Sequence, residues 1–249
     1  NFAKDIFGKF NLCLASSNKS KKFLISLGGK KVRIIGNLKY SQLENEKILI
    51  NANLRKFFKS KKIWCASSTH FNEEKLCGDV HKKLKKKYKN LLTIIIPRHI
   101  DRSKNIIEEV VELNLNVHIH DSKKEIDENT DIYLVNSFGK TKSFFKVCKT
   151  VFLGGSLIKH GGQNPLEAAR YGCKILHGPN VFNFREIYSL LNKYKVSSKV
   201  NNLNQIIKNA DKLFNNKSNS EKIKNKIKNF GNKILNTTLK EVNFFVNKK

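Results

Sequence analysis

The sequence predicts an α/β fold built around a parallel sheet. Three observations carry that prediction. Short apolar runs alternate with amphipathic stretches along the chain, the pattern of strand and crossover helix. The run Leu91 to Ile96, closed by Pro97, is apolar enough for a strand buried on both faces, as parallel sheets require. Polar or glycine-rich segments follow the runs that end at Ala66, Ile96, Val135 and Leu153, where βα loops belong.

Taken in order, Leu12 to Ala15 and Val32 to Ile35 read as strands, with a helix from about Lys19 to Leu27 between them. Gly28-Gly29 ends that helix, since a glycine adopts the left-handed geometry of a helix C-terminus without strain. A charged stretch from about Gln42 to Lys62, with sparse apolar residues, suggests a linking helix. A second, longer series begins with strand Ile63 to Ala66 and the Lys-rich helix Asn72 to Tyr88. Strand Leu91 to Ile96, helix Ser103 to Leu113, strand Asn116 to Ile119 and strand Ile132 to Val135 follow. The acidic run Asp121 to Asp131 reads as a solvated loop. Next come helix Thr141 to Lys146, buried strand Val151 to Leu153, helix Pro165 to Tyr171 and strand Lys174 to Leu176. Helix Phe184 to Leu191, strand Lys195 to Ser198 and helix Leu203 to Phe214 complete the series. The division expected is the end of one α/β domain with a linker (1-45), a complete second domain (46-216) and a Lys-rich helical tail (217-249).

A chain of 249 residues with 39% apolar content can bury one sizeable core, or one domain plus part of another. No apolar run approaches the roughly 20 residues that span a bilayer. The sequence opens without Met and without the order of a signal peptide, so an upstream segment is expected. The formal charge of +29 comes from 43 Lys and only 6 Arg. Phosphate and nucleic-acid sites favour Arg for its bidentate fork, so a uniform Lys and Asn surplus reads as AT-rich codon usage rather than a nucleic-acid interface. Such a surface is still drawn to anionic lipid, by about 1 kcal/mol for each basic residue near the membrane. Five scattered cysteines without CxxC spacing read as small buried hydrophobes, and seven His without HxxxH or HExxH spacing give no metal site.

Ligands of open α/β sheets bind beyond the carboxyl ends of the strands, which singles out the loops there. The richest is Leu153-Gly154-Gly155-Ser156 with Lys159-His160-Gly161-Gly162-Gln163-Asn164-Pro165-Leu166-Glu167. Paired glycines let a ligand approach the backbone closely. Asn164 suits an N-cap and Pro165 a first helical position, so a helix there aims N–H groups at a phosphate. Glu167, in the first turn, can accept from ribose hydroxyls. Arg98, in Ile96-Pro97-Arg98-His99, offers a fork to phosphate or sugar carboxylate. His99 is equally a ligand contact or a loop support. The hydroxyls of Ser67-Ser68-Thr69-His70 either touch a ligand or cap a helix. Asn136-Ser137-Phe138-Gly139-Lys140 and Gly36-Asn37-Leu38-Lys39 are further loops of the same kind.

Together these strings resemble the 3-deoxy-D-manno-octulosonic acid (Kdo) transferases of lipopolysaccharide synthesis. Gly36-Asn37-Leu38-Lys39, Ala66-Ser67-Ser68-Thr69-His70, Pro97-Arg98-His99 and Gly154 through Glu167 carry the likeness. Gly178-Pro179-Asn180 and Phe182-Asn183-Phe184-Arg185-Glu186-Ile187 complete it, in order from about Phe10 to Leu191. The single strings are weak signals, but the ordered set is specific.

The resemblance implies a GT-B glycosyltransferase: the C-terminal Rossmann-like domain with its parallel sheet, preceded by the end of the N-terminal one. It implies transfer of Kdo from CMP-Kdo to a lipid A precursor, lipid IVA, with inversion and without a bound metal or cofactor. The setting implied is the cytoplasmic side of the inner membrane, with peripheral attachment and no nucleic acid. Carried onto this chain, the CMP contacts are Pro97, Arg98, Phe138, Gly139, Lys140, Asn164, Pro165, Leu166 and Glu167. Ser68, His99, Gly155 and Ser156 are further candidates, and Lys39 matches the residue that stabilises the transition state. The family draws its general base, a Glu, from an N-terminal region that this chain lacks, so the chain alone is expected to be inactive. It also departs from the family at Asn136-Ser137, where Asp-Thr is usual, and at Lys140, where Glu is usual. Other readings are a GT-B enzyme using a UDP-sugar, or a basic module for nucleic acid or membrane.

Overall fold

The computed structural model describes residues 2–42, 50–120, 125–216 and 219–247. Part of the expected linking helix (43–49), including the 45/46 boundary, and part of the expected acidic loop (121–124) lie outside the described residues, as do 217–218, where the tail was set to begin. The chain falls into two units, Asn1–Asn45 with Asn225–Lys249, and Glu46–Lys224.

In the first unit, helix α1 (Phe2–Phe7) precedes strand β1 (Cys13–Ala15), helix α2 (Asn18–Ser26) and strand β2 (Val32–Ile34). Sequence reading gave no helix for α1, whose residues are all exposed or half-buried and so leave no apolar stripe to detect. The Ser17 side chain caps α2 by accepting from the Ser20 N–H, and Gly28 leaves it at φ 96°. The two strands pair in parallel, Cys13 beside Val32. The long helix α10 (Ser220–Val246) contributes its later residues to this unit. There it crosses the turn Leu38–Ser41 so closely that a Cβ on Gly231 would stand 2.3 Å from the Tyr40 carbonyl oxygen. Arg33 and Glu241 form an ion pair at 2.5 Å.

The second unit opens with helix α3 (Ala52–Ser60), capped by Asn51, within the stretch read as a linker. Then come β3 (Lys62–Thr69), α4 (Glu73–Lys85), β4 (Leu91–Pro97), α5 (Ser103–Val111), β5 (Val117–Ile119) and β6 (Ile132–Leu134). After α6 (Thr141–Val147) and β7 (Thr150–Leu153) follow α7 (Leu166–Arg170), β8 (Lys174–His177), α8 (Arg185–Lys193), β9 (Ser197–Lys199) and α9 (Leu203–Asn215). The strands form one parallel sheet in the order β5-β6-β4-β3-β7-β8-β9.

Successive strand residues point to opposite faces, and both faces are covered. Trp64, Ala66, Ile95, Leu134 and Phe152 pack in one cluster with Val80 and Leu84 of α4, Val110 of α5 and Ile206 of α9. The alternate residue Tyr133 meets Phe58 of α3 and Phe144 of α6, with ring centroids 5.4 and 5.9 Å away. All five cysteines are free and buried.

Two expectations are corrected here. Ser67-Ser68-Thr69 is not a loop, because β3 runs on to Thr69 through a register irregularity between Ser67 and Thr69. Ser68 takes up the irregularity at φ 55°, a conformation rare outside glycine. The end of the acidic run is not solvated either. Asp131 accepts from Lys85 Nζ at 2.7 Å and lies 3.1 Å from Nε2 of the fully buried His81. His81 Nδ1 in turn stands 2.8 Å from Thr93 Oγ1, to which Trp64 Nε1 donates at 2.6 Å. Buried polar atoms need such partners, and this network ties α4 to β3, β4 and β6.

Candidate functional site

From β3 the chain steps outwards through β4, then returns on the other side of β3 at β7. The strand order therefore reverses between β3 and β7. Adjacent loops diverge at such a point and leave a crevice beyond the carboxyl ends.

Glu73, which sequence reading passed over, organises that crevice. Its carboxylate is 1% exposed and accepts four backbone N–H groups. Oε2 takes those of Gly155 (2.7 Å) and His70 (3.0 Å); Oε1 takes those of Leu157 (3.1 Å) and Ser156 (3.2 Å). Burial pushes the Glu73 pKa up, while the four N–H groups favour the charged form and oppose the rise. Gly154 makes the clamp sterically possible, since a Cβ there would lie 2.4 Å from the Ser68 carbonyl oxygen and 2.5 Å from Thr69 Cα.

The rest of the glycine loop is bound to its neighbours. Ser156, a candidate ligand contact, is fully buried; its Oγ donates to the Leu153 carbonyl (2.5 Å) and accepts from the Gly178 N–H (2.8 Å). Its hydroxyl is spent in holding the loop to the end of β8. Ser68 acts likewise through its carbonyl, which faces His70 Nδ1 at 3.0 Å. Further on, the Gly162 N–H donates to the Gly155 carbonyl, and the buried Tyr188 hydroxyl donates to the Gln163 carbonyl at 3.0 Å.

The entry to α7 differs from expectation. Pro165 is the residue before the helix rather than its first residue, and Asn164 Oδ1 accepts from the Leu166 N–H at 3.1 Å. With five residues, α7 aligns few peptide dipoles, so the phosphate argument shifts from its dipole to Arg98. Leu166 is buried and Glu167 half-buried.

Pro97 ends β4 and Arg98 follows it, exposed, its backbone N–H donating to the Thr69 carbonyl at 2.9 Å. The next turn is pinned by Arg102, whose fork meets both oxygens of the fully buried Glu74 at 3.1 and 3.4 Å. Burial pushes the Glu74 pKa up, and Arg102 opposes it. The exposed Arg98 thus stands on a fixed turn. His99 follows, its ring edge-on to His70 at 5.8 Å between centroids, and the exposed His160 ring lies 4.2 Å from His70. Gly155 sits under both, for a Cβ there would be 3.0 Å from His70 Cε1 and 3.1 Å from His160 Cδ2.

After β6, Phe138 is 74% exposed, Gly139 adopts φ 75° with open space beside it, and Lys140 is half-buried just ahead of α6. Lys39 belongs to the other unit. It is exposed in the turn Leu38–Ser41, its N–H bound by Asn37 Oδ1 at 3.0 Å. The structure therefore gathers Arg98, His99 and Gly155 around His70, while Ser68 and Ser156 serve the loop's framework. Glu73, the Glu74–Arg102 pair and Tyr188 were not foreseen, and His160 was noted only as part of the glycine-loop string. A signal existed for the first two: adjacent glutamates straight after a candidate ligand loop, in a chain with 49 basic and only 20 acidic residues.

His70 carries a pH signature. Burial first, then the neighbouring His160, lowers its pKa from 6.5 to about 4. The native ring stays neutral where the unfolded ring takes a proton, so stability falls as pH drops from 6.5 towards 4 and loses nothing more from this residue below that. We expect the melting temperature of wild type to fall more steeply over that window than that of His70→Asn. Parallel pH profiles by circular dichroism would contradict this.

No family model matches the chain. It is 33% identical over 226 residues to a 3-deoxy-D-manno-octulosonic acid transferase of Haemophilus influenzae, covering 88% of this chain and 53% of that one. A transferase of the same name from Rickettsia bellii is 27% identical, over 90% of this chain and 53% of the relative. The chain thus spans about half the length of these curated relatives. Among solved structures, the C-terminal CMP-Kdo binding domain of WaaA from Acinetobacter baumannii superimposes with a TM-score of 0.62 at 22% identity, covering 73% of this chain and 92% of that domain. The UDP complex of MnaA from S. aureus gives 0.52 at 12% identity, over 97% of this chain and 62% of that one. The fold is that of GT-B glycosyltransferases, with the parallel sheet of their C-terminal Rossmann-like domain.

Proposed function

We propose that this chain, a relative of the 3-deoxy-D-manno-octulosonic acid transferases along 88% of its length, holds the CMP-Kdo site of an inverting transferase that delivers Kdo to a lipid A precursor, lipid IVA. The observation that carries the reading is the glycine loop clamped by Glu73 at the reversal of strand order, with Arg98 at its rim. In this reading Pro97, Arg98, Phe138, Gly139, Lys140 and Asn164 through Glu167 contact CMP, with Arg98 on the phosphate and Glu167 on the ribose. The division into 1-45, 46-216 and 217-249 belongs to the same proposal, with the donor held by the middle segment.

The chemistry follows from charge. As the bond between Kdo and phosphate breaks, the departing CMP gains negative charge, which Arg98 and Lys39 stabilise. The acceptor hydroxyl attacks the anomeric carbon from the opposite side and passes its proton to a general base. A lipid acceptor places the work at the cytoplasmic face of the inner membrane. The Lys-rich surface suits peripheral attachment there, and no helix among the described residues is long and apolar enough to cross a membrane.

Lys39→Ala in a full-length transferase carrying this sequence tests the assignment. We expect kcat for Kdo transfer from CMP-Kdo to lipid IVA to fall about 100-fold while KM for the donor changes little. An unchanged kcat contradicts the role of Lys39, and no transfer by the unaltered protein contradicts the reading itself.

A further inference from the structure

We propose that His70 is a ligand-binding residue of this site, its Nε2 accepting a hydrogen bond from a hydroxyl of the bound sugar nucleotide. The proposal rests on the CMP-Kdo reading above.

His70 is the first residue past β3, at the reversal of strand order, and it is 7% exposed. Its Nδ1 lies 3.0 Å from the Ser68 carbonyl oxygen. A carbonyl only accepts, so Nδ1 carries the hydrogen and the neutral ring holds its lone pair at Nε2. Nε2 is buried and has no hydrogen-bond partner among the described residues. Buried acceptors are seldom left so, and an unpaired one in a native fold calls for an occupant.

The surroundings say what kind. Gly155 sets no side chain of its own against the ring, where a Cβ would stand 3.0 Å from Cε1. His160 packs on the ring and His99 stands at its edge. The charged groups around the ring are Glu73, with Oε2 3.9 Å from Nδ1, and Arg98. Burial, helped by His160, His99 and Arg98, keeps the ring neutral at pH 7. A lone pair repels phosphate and carboxylate oxygens but accepts O–H, so His70 complements Arg98, which takes the anion. The hydroxyl belongs either to ribose or to Kdo.

Two substitutions separate the halves of the ring. His70→Asn keeps an amide N–H where Nδ1 donates to Ser68 and removes the Nε2 acceptor, whereas His70→Gln sets a side-chain carbonyl near Nε2. The three proteins are titrated with CMP and with CMP-Kdo by calorimetry. At pH 7 His70→Asn should melt with wild type in the absence of nucleotide yet bind about tenfold more weakly. The loss covers both nucleotides if the hydroxyl is on ribose, and CMP-Kdo alone if it is on Kdo; His70→Gln should recover part of it. Equal binding by His70→Asn and wild type overturns the inference while leaving the donor site standing. A wild-type chain that binds neither nucleotide overturns the CMP-Kdo reading and this inference with it. The 15N shift of His70 Nε2 gives a readout that needs no variant and survives a misfolded His70→Asn: saturation with CMP-Kdo should move it, and an unmoved Nε2 overturns the proposal.

Discussion

Glu73→Ala is expected to cost about 3–5 kcal/mol of stability and to abolish nucleotide binding at concentrations that saturate wild type. The magnitude follows from what the carboxylate holds. Removing it orphans the N–H groups of His70, Gly155, Ser156 and Leu157 in a buried place. Each orphan costs about 1–3 kcal/mol, less whatever water recovers by entering the cavity. Binding is lost because those N–H groups set the path of the glycine loop against the end of β3. Glu73→Gln should fall between, since its amide turns one acceptor oxygen into a donor facing N–H groups. Urea unfolding measures the first effect and calorimetry the second. An alanine variant with wild-type stability would show that the loop is held by other contacts.

Arg98→Ala is the second large effect, and it should leave the fold alone. The side chain is exposed and makes no ion pair among the described residues, so stability should change by less than about 0.5 kcal/mol. Donor affinity should fall about 30- to 150-fold, the equivalent of about 2–3 kcal/mol for hydrogen bonds between charged partners. Arg98→Lys should restore only part of this, because an ammonium lacks the planar fork. The Glu74–Arg102 pair makes a useful control. Arg102→Ala strands the buried Glu74, so its effect on affinity should come with a loss of stability that Arg98→Ala does not show.

Much of this was legible in the chain. The largely apolar β4 announced a parallel sheet, and the glycine-marked loop after β7 marked a candidate ligand loop at one end of it. Local chemistry was less readable where an element's length or a long-range partner decided the outcome. Ser68 was read as loop because no pattern in Ser67-Ser68-Thr69 reveals that β3 continues through an irregularity to pair with β4. Ser156 looked like a ligand hydroxyl, but its partner Gly178 is 22 residues away and only the fold brings them together. Glu73 looked like an ordinary acid in the first turn of a helix, a position that the helix dipole favours anyway. Its role is set by Gly155, Ser156 and Leu157, more than 80 residues further along the chain. Asp131 was masked in the same way, since its partners His81 and Lys85 lie on a helix 46 or more residues earlier.

The central claim is a site for CMP, and calorimetric titration of the 249-residue chain with CMP and with UDP tests it most directly. The account predicts one saturable site for CMP, with a rise in melting temperature that corresponds to about 2.7 kcal/mol at 100 times Kd, and no comparable effect of UDP. Stabilisation by UDP with no response to CMP would contradict it and favour a GT-B enzyme that uses a UDP-sugar.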